Sequence, residues 1–152
     1  AALVSLNFPA LSTIDPCWAS QDGCEVGDAS GPGWLTLSNC ASLNVFQVPS
    51  LNIVKGSVHI DQNTTLKTLK LDSVGHLSAL FVEDNPNLET AGFGSLATVG
   101  DSAGDEDLIL ITDNVSLQSL DLGNLSEVLG GLVLRGNALA AGMKLSQLVN
   151  QY

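Results

Sequence analysis

An all-β fold, a right-handed parallel β-helix of about five to six coils with an asparagine and cysteine ladder, is predicted by three features of the chain. Apolar residues return at a fixed set of offsets from a recurring Asn. The segments carrying them alternate inward and outward positions with a period of two, as short strands do. Gly, Asn, Ser or Pro stands at the corners, and about 22 residues per repeat leave no room for a helix of ordinary length.

The stretch DNPNLETAGFGSLATVG, residues 84–100, carries the rhythm: Leu88, Ala91, Phe93, Leu96 and Val99 stand 3, 2, 3 and 3 residues apart. With Asn85 as zero, the apolar offsets are −5, −3, +3, +6, +8, +11 and +14. Taken in chain order, the first element is AALVSLNFPALSTI, where Leu3, Leu6, Phe8, Leu11 and Ile14 fit a coil whose zero precedes residue 1. Cys40 as zero returns Leu35, Leu37, Leu43, Phe46, Val48, Leu51 and Val54. Asn63 returns Val58, Ile60, Leu66, Leu69, Leu71, Val74 and Leu77, and Asn114 returns Ile109, Ile111, Leu117, Leu120, Leu122, Leu125 and Val128. Asn137 returns Leu132, Leu134, Ala140, Met143, Leu145 and Leu148, and the pattern fails at Gln151.

The ladder positions Cys40, Asn63, Asn85, Asn114 and Asn137 are thus 23, 22, 29 and 23 residues apart. Insertions at 15–34 and 100–107 account for the departures, and both leave the stack at the same corner. Residues 1–152 read as a single solenoid, expected to belong to a longer protein. Its apolar columns are buried only against neighbouring repeats, so stability accumulates along the stack. At zero, an Asn amide offers donors and acceptors together at a buried bend. Cys40 is small enough to fill the same slot.

The motif LxLxxNxxL, present as VHIDQNTTL, LFVEDNPNL and ILITDNVSL and followed by a half such as LQSLDLGNLSEVLGG, resembles the receptor L-domain repeat. Ordinary leucine-rich repeats place the next Leu two residues after Asn, whereas here the spacing is three. The resemblance covers nearly the whole chain outside the insertions. It implies a leucine-rich β-solenoid of the kind found in growth-factor receptor ectodomains and fungal cell-wall surface proteins.

Composition narrows the partners. Sixteen acidic against five basic residues give a formal charge of −11, and the scattered Lys55, Lys67, Lys70, Arg135 and Lys144 form no phosphate-binding cluster, so no nucleic acid is expected. No apolar run reaches the length of a membrane span. Among three cysteines, Cys17 and Cys24 lie close together in a Gly-rich stretch and are expected to pair, with Cys40 a free, buried thiol; two unpaired loop thiols are the alternative.

No catalytic motif occurs, and an enzyme is not expected. His59 and His76 fall on different faces, and Asp72, Glu89, Asp121 and Glu127 share no column. The acidic insertion, with Asp101, Asp105 and Asp107, is read as a solvated loop; it is also the one candidate for Ca²⁺, no other cofactor being expected. Asp84 and Asp113, both at −1, either stay hydrated or share a cation. Of three sequons, Asn63 and Asn114 occupy inward ladder positions, which leaves Asn124 as the credible glycan acceptor.

The outward column at −4 reads Thr36, His59, Phe81, Leu110 and Val133. Phe81, Leu110 and Val133 are a candidate partner surface, unless the loop bearing Trp18 and Trp34 folds over them. Both ends of the stack are expected to leave strand edges open. The resulting expectation is a non-catalytic extracellular or cell-surface module that binds protein or glycan or self-associates. The alternatives are a polysaccharide-acting enzyme on the same scaffold and a repeating block of an extracellular polymer.

Overall fold

The computed structural model describes residues 5–7, 25–27, 34–101, 108–139 and 142–144. Among them the chain forms fifteen short strands and no helix. In order these are β1 (Ser5–Asn7), β2 (Glu25–Gly27), β3 (Leu35–Ser38), β4 (Val45–Gln47), β5 (Val58–Asp61), β6 (Thr68–Lys70), β7 (His76–Leu77) and β8 (Leu80–Glu83). There follow β9 (Thr90–Gly92), β10 (Thr98–Val99), β11 (Ile109–Thr112), β12 (Ser119–Asp121), β13 (Glu127–Val128), β14 (Leu132–Arg135) and β15 (Gly142–Lys144).

They assemble into three sheets, ordered β1-β4-β6-β9-β12-β15, β7-β10-β13 and β2-β3-β5-β8-β11-β14. The chain visits the sheets in rotation, so that equivalent strands of successive repeats become neighbours. All pairings are parallel except β2 with β3. Such an arrangement is compatible with a parallel β-solenoid. Backbone register follows the sequence offsets: Leu6 faces Phe46, Phe46 faces Leu69, Leu69 faces Ala91, Ala91 faces Leu120 and Leu120 faces Met143.

The intervals of three have a local cause. Within each repeat the N–H at +3 donates to the carbonyl at zero, as in Leu66 to Asn63 at 3.2 Å and Leu117 to Asn114 at 2.9 Å. The N–H at +11 donates to the carbonyl at +8, as in Leu96 to Phe93 and Leu125 to Leu122, both at 3.0 Å. These are β-turns, and both ends of each turn point into the core. Turn ends therefore sit three apart and strand positions two apart.

The residue before each ladder position is left-handed, with φ of 56° at Asn39, 55° at Gln62, 52° at Asp84, 57° at Asp113 and 67° at Gly136. Asn, Asp and Gly tolerate that conformation best. At Gly136 a Cβ would also collide with the Asp113 carboxylate.

Each ladder asparagine then clamps the corner of the preceding repeat. Its Oδ1 accepts the backbone N–H of the previous ladder residue: Cys40 to Asn63 at 3.0 Å, Asn63 to Asn85 at 3.1 Å, Asn85 to Asn114 at 3.1 Å and Asn114 to Asn137 at 3.3 Å. Its Nδ2 donates to the carbonyl three residues before that position: Leu37 at 2.8 Å, Ile60 at 2.9 Å, Val82 at 2.9 Å and Ile111 at 2.7 Å. Asn63, Asn85 and Asn114 are fully buried, so each bond satisfies a group that water cannot reach. Since the side chain at zero acts on the repeat before it, Cys40 receives a clamp without needing an amide to give one.

Apolar residues at the offsets of the three central repeats fill one continuous core. Burial declines from the end of the Asn114 repeat onward, where Val128, Leu132, Leu134 and Leu139 are only partly covered. Among the described residues no helix is long and apolar enough to cross a membrane.

Two expectations are corrected at the N-terminal side. The edge of β3 is not open: β2, from the 15–34 insertion, pairs with it antiparallel, Glu25 facing Ser38 and Gly27 facing Thr36. Cys40 is disulfide-bonded rather than a free thiol. Cys17 and Cys24, expected to pair with each other, lie outside the described residues. β2 returns the insertion to the first ladder corner, since Glu25 pairs with Ser38, two residues before Cys40.

Candidate functional site

Pairing of β3, β5, β8, β11 and β14 sets Thr36, His59, Phe81, Leu110 and Val133 in one row on the outer face of their sheet. Strand alternation is the reason: the residues on either side of each point into the core. The two rings of the row, His59 and Phe81, are stacked, and Trp34 extends the stack. Trp34 and His59 lie with centroids 4.9 Å apart and planes 8° from parallel, and His59 and Phe81 with centroids 4.2 Å apart and planes at 25°. Trp34 reaches this position across Gly56, where a Cβ would collide with its ring.

Trp34 therefore covers the His59 end of the row, while Trp18 lies outside the described residues. The remainder opens progressively. Thr36 is buried, Phe81 and Leu110 are half-buried, and Val133 is 44% exposed. Because the rings face one another along the ladder, they present edges rather than faces outward.

A second row runs beside the first, two residues further along each strand: Ser38, Asp61, Glu83, Thr112 and Arg135. The Ser38 hydroxyl donates to Asp61 Oδ2 at 3.0 Å, and the Thr112 hydroxyl donates to Glu83 Oε2 at 3.4 Å. Burial pushes the Glu83 carboxyl above its ordinary range; Asp84, Asp61 and Asp113 push it further up, and the Thr112 bond opposes them. Asp84 and Asp113 stand exposed at the adjoining corner. Arg135 approaches Asp113 at 3.9 Å, an exposed pair of little energetic weight. The apolar row is thus edged by four carboxylates strung along the ladder, and among the described residues no three His, Cys, Asp or Glu side chains converge to hold a metal ion.

Other candidate residues are placed elsewhere. Asp101 accepts a bond from the Ser78 hydroxyl at 3.2 Å at the surface, and Asp105 and Asp107 lie outside the described residues. Asn63 and Asn114 are fully buried with their amides committed to the ladder, so a glycan on either would break it. Asn124 is exposed, its Nδ2 donating to the Gly94 carbonyl at 2.6 Å. His76 meets the Thr98 hydroxyl at 2.7 Å in the β7-β10-β13 sheet, a different sheet from the one that carries the stacked rings. Glu89 pairs with Lys67 at 3.4 Å, and Asp121 Oδ1 accepts from the Gly123 N–H at 2.9 Å.

Sequence reasoning singled out the −4 row but missed the −2 row beside it. The signal was present, since the same offset counting yields Asp61 and Glu83. The stacking of Trp34 on His59 had no such signal, because Trp34 stands at the end of an insertion that breaks the count. No family model matches the chain, and no curated protein or solved structure matches it.

Proposed function

We propose that the chain is a right-handed parallel β-helix of about five to six coils, of receptor L-domain-like type, serving as a non-catalytic binding module at the cell surface or outside the cell. The backbone register at the expected offsets supports the fold reading, from Leu6 against Phe46 to Leu120 against Met143. Disulfide bonding of Cys40 supports an oxidising location, where Asn124 is the surface sequon open to a glycan.

The single observation that carries the binding reading is the continuous outer row in which Phe81 and Leu110 are half-buried and Val133 is exposed. Apolar groups aligned on one sheet face gain free energy by leaving water together. Ring edges offer a sugar no face to stack on, which favours a protein partner over a glycan. Growth into a head-to-tail polymer is disfavoured because β2 already occupies the edge that the next block would need. For the enzymatic alternative, Asp72 and Asp121 come near one another across Gly94, whereas Glu89 is paired with Lys67 and Glu127 lies on β13.

The test pairs Phe81→Ser with Leu110→Ser. The double variant is expected to keep its strand spectrum, lose about 1 to 2 kcal/mol of stability, and bind peptides selected from a displayed library of short extended sequences at least about tenfold more weakly than wild type. Selected peptides that bind wild type and double variant alike would contradict the assignment of this face.

A further inference from the structure

The partner chemistry follows from the two rows taken together, and rests on reading this face as a docking surface. We propose that the face receives an extended, positively charged segment of a partner protein lying along β8, with an apolar side chain on Phe81 beside Leu110 and, two residues on, a lysine or arginine side chain over Glu83 beside Asp61.

Three observations support this occupant. First, the rows at −4 and −2 stand on the same side of the same strands, about 7 Å apart, which is also the separation of same-side residues along any extended chain. A segment lying face to face with β8 can therefore set one side chain on the apolar row and the next on the acidic row. The pattern it needs is an apolar residue, a residue facing away, then a basic residue. Second, the charge around the face is one-sided. Asp61, Glu83, Asp84 and Asp113 border it, Arg135 is the cation in the −2 row, and the whole chain carries −11. Long-range attraction would thus steer a cationic partner here and repel an acidic one. Third, the carboxylates are arrayed along the ladder rather than gathered, and no three titratable ligands converge among the described residues. That spacing suits a side-chain cation lodged over neighbouring carboxylates such as Glu83 and Asp61 better than a single metal ion. A cation over Glu83 would also relieve the crowding by which burial and neighbouring carboxylates disfavour its ionised form.

The experiment is a nuclear magnetic resonance titration of the ¹⁵N-labelled protein with a peptide of repeating Val-Ser-Lys-Ser, and with its Val-Ser-Glu-Ser counterpart. The lysine peptide is expected to shift amides of β5, β8 and β11. Its affinity should fall about tenfold or more in the Asp61→Asn, Glu83→Gln double variant, and fall steeply with added salt. The Asp72→Asn, Asp121→Asn double variant removes the same formal charge from other strands and turns, and should bind almost as wild type does. Equal losses in the two double variants would overturn the proposal by reducing it to net-charge attraction. Equal binding of the glutamate peptide at the same strands would overturn the charge selection while leaving the docking face intact. If neither peptide shifts these strands although library-selected peptides do, the proposal fails and the binding reading survives. Thermal melts of each variant separate loss of binding from loss of fold.

Discussion

Asn85→Ala is expected to cost about 3 to 5 kcal/mol of stability, more than any surface change in the chain. The substitution removes the acceptor of the Asn63 backbone N–H and the donor to the Ile60 carbonyl, both at a corner where Asn63 is fully buried. It also deletes the bonds from the Asn63 Nδ2 to the Asn85 Oδ1 and from the Asn85 Nδ2 to the Asn114 Oδ1. A buried polar group stripped of its partner costs about 1 to 3 kcal/mol, so two stranded backbone groups set the size of the effect. Asn137→Ala, at a half-buried rung, should cost about 1 kcal/mol. Urea midpoints measure both. An Asn85→Ala midpoint no lower than that of Thr64→Ala, at an exposed turn position, would mean that the side-chain clamp is dispensable.

Leu120→Ala and Leu122→Ala are each expected to cost about 2 to 5 kcal/mol, because both side chains are fully buried and the surrounding columns can collapse only partly into the space left. Asp121, between them, points outward and bonds the Gly123 N–H. Its replacement by Ala should cost about 0.5 kcal/mol. The ranking tests the register of β12 independently of the ladder, since a shift of one residue would exchange the inward and outward sets. Greater damage from the Asp121 change than from either leucine change would show that the register is wrong.

Much of the architecture is legible in the sequence for a definite reason. Strand alternation and β-turn closure impose different intervals on inward residues, two and three, and the chain prints both in series, as in Leu117, Leu120, Leu122, Leu125 and Val128. The ladder is legible because only a side chain with both donor and acceptor can answer a carbonyl and an N–H at one buried corner, and Asn63, Asn85, Asn114 and Asn137 recur there. The left-handed residue at −1 is only partly legible. Asn39, Asp84, Asp113 and Gly136 are types that favour it, but Gln62 is not, and its conformation is dictated by the neighbouring repeats.

What escapes the sequence is whatever the repeat does not govern. The antiparallel docking of β2 on β3 depends on an insertion that carries no periodic signal. The same holds for Trp34, whose place over Gly56 and His59 is a matter of shape rather than of spacing. The acidic row is legible by the same count, because alternation places −2 on the same side as −4, although its residues are polar and carry no apolar rhythm.

Successive repeats stack in register through asparagine side chains, and amide hydrogen exchange is the sharpest test of that stacking. The backbone N–H groups of Asn63 and Asn85 are bonded to side-chain oxygens of the following repeat and to no strand carbonyl. They are predicted to exchange as slowly as the amides of Leu69 and Leu120 in the strand cores, opening only with the stack itself. Exchange of Asn63 and Asn85 as fast as that of exposed turn residues such as Thr64 and Asn87 would contradict the ladder and, with it, the alignment of the two rows on the outer face.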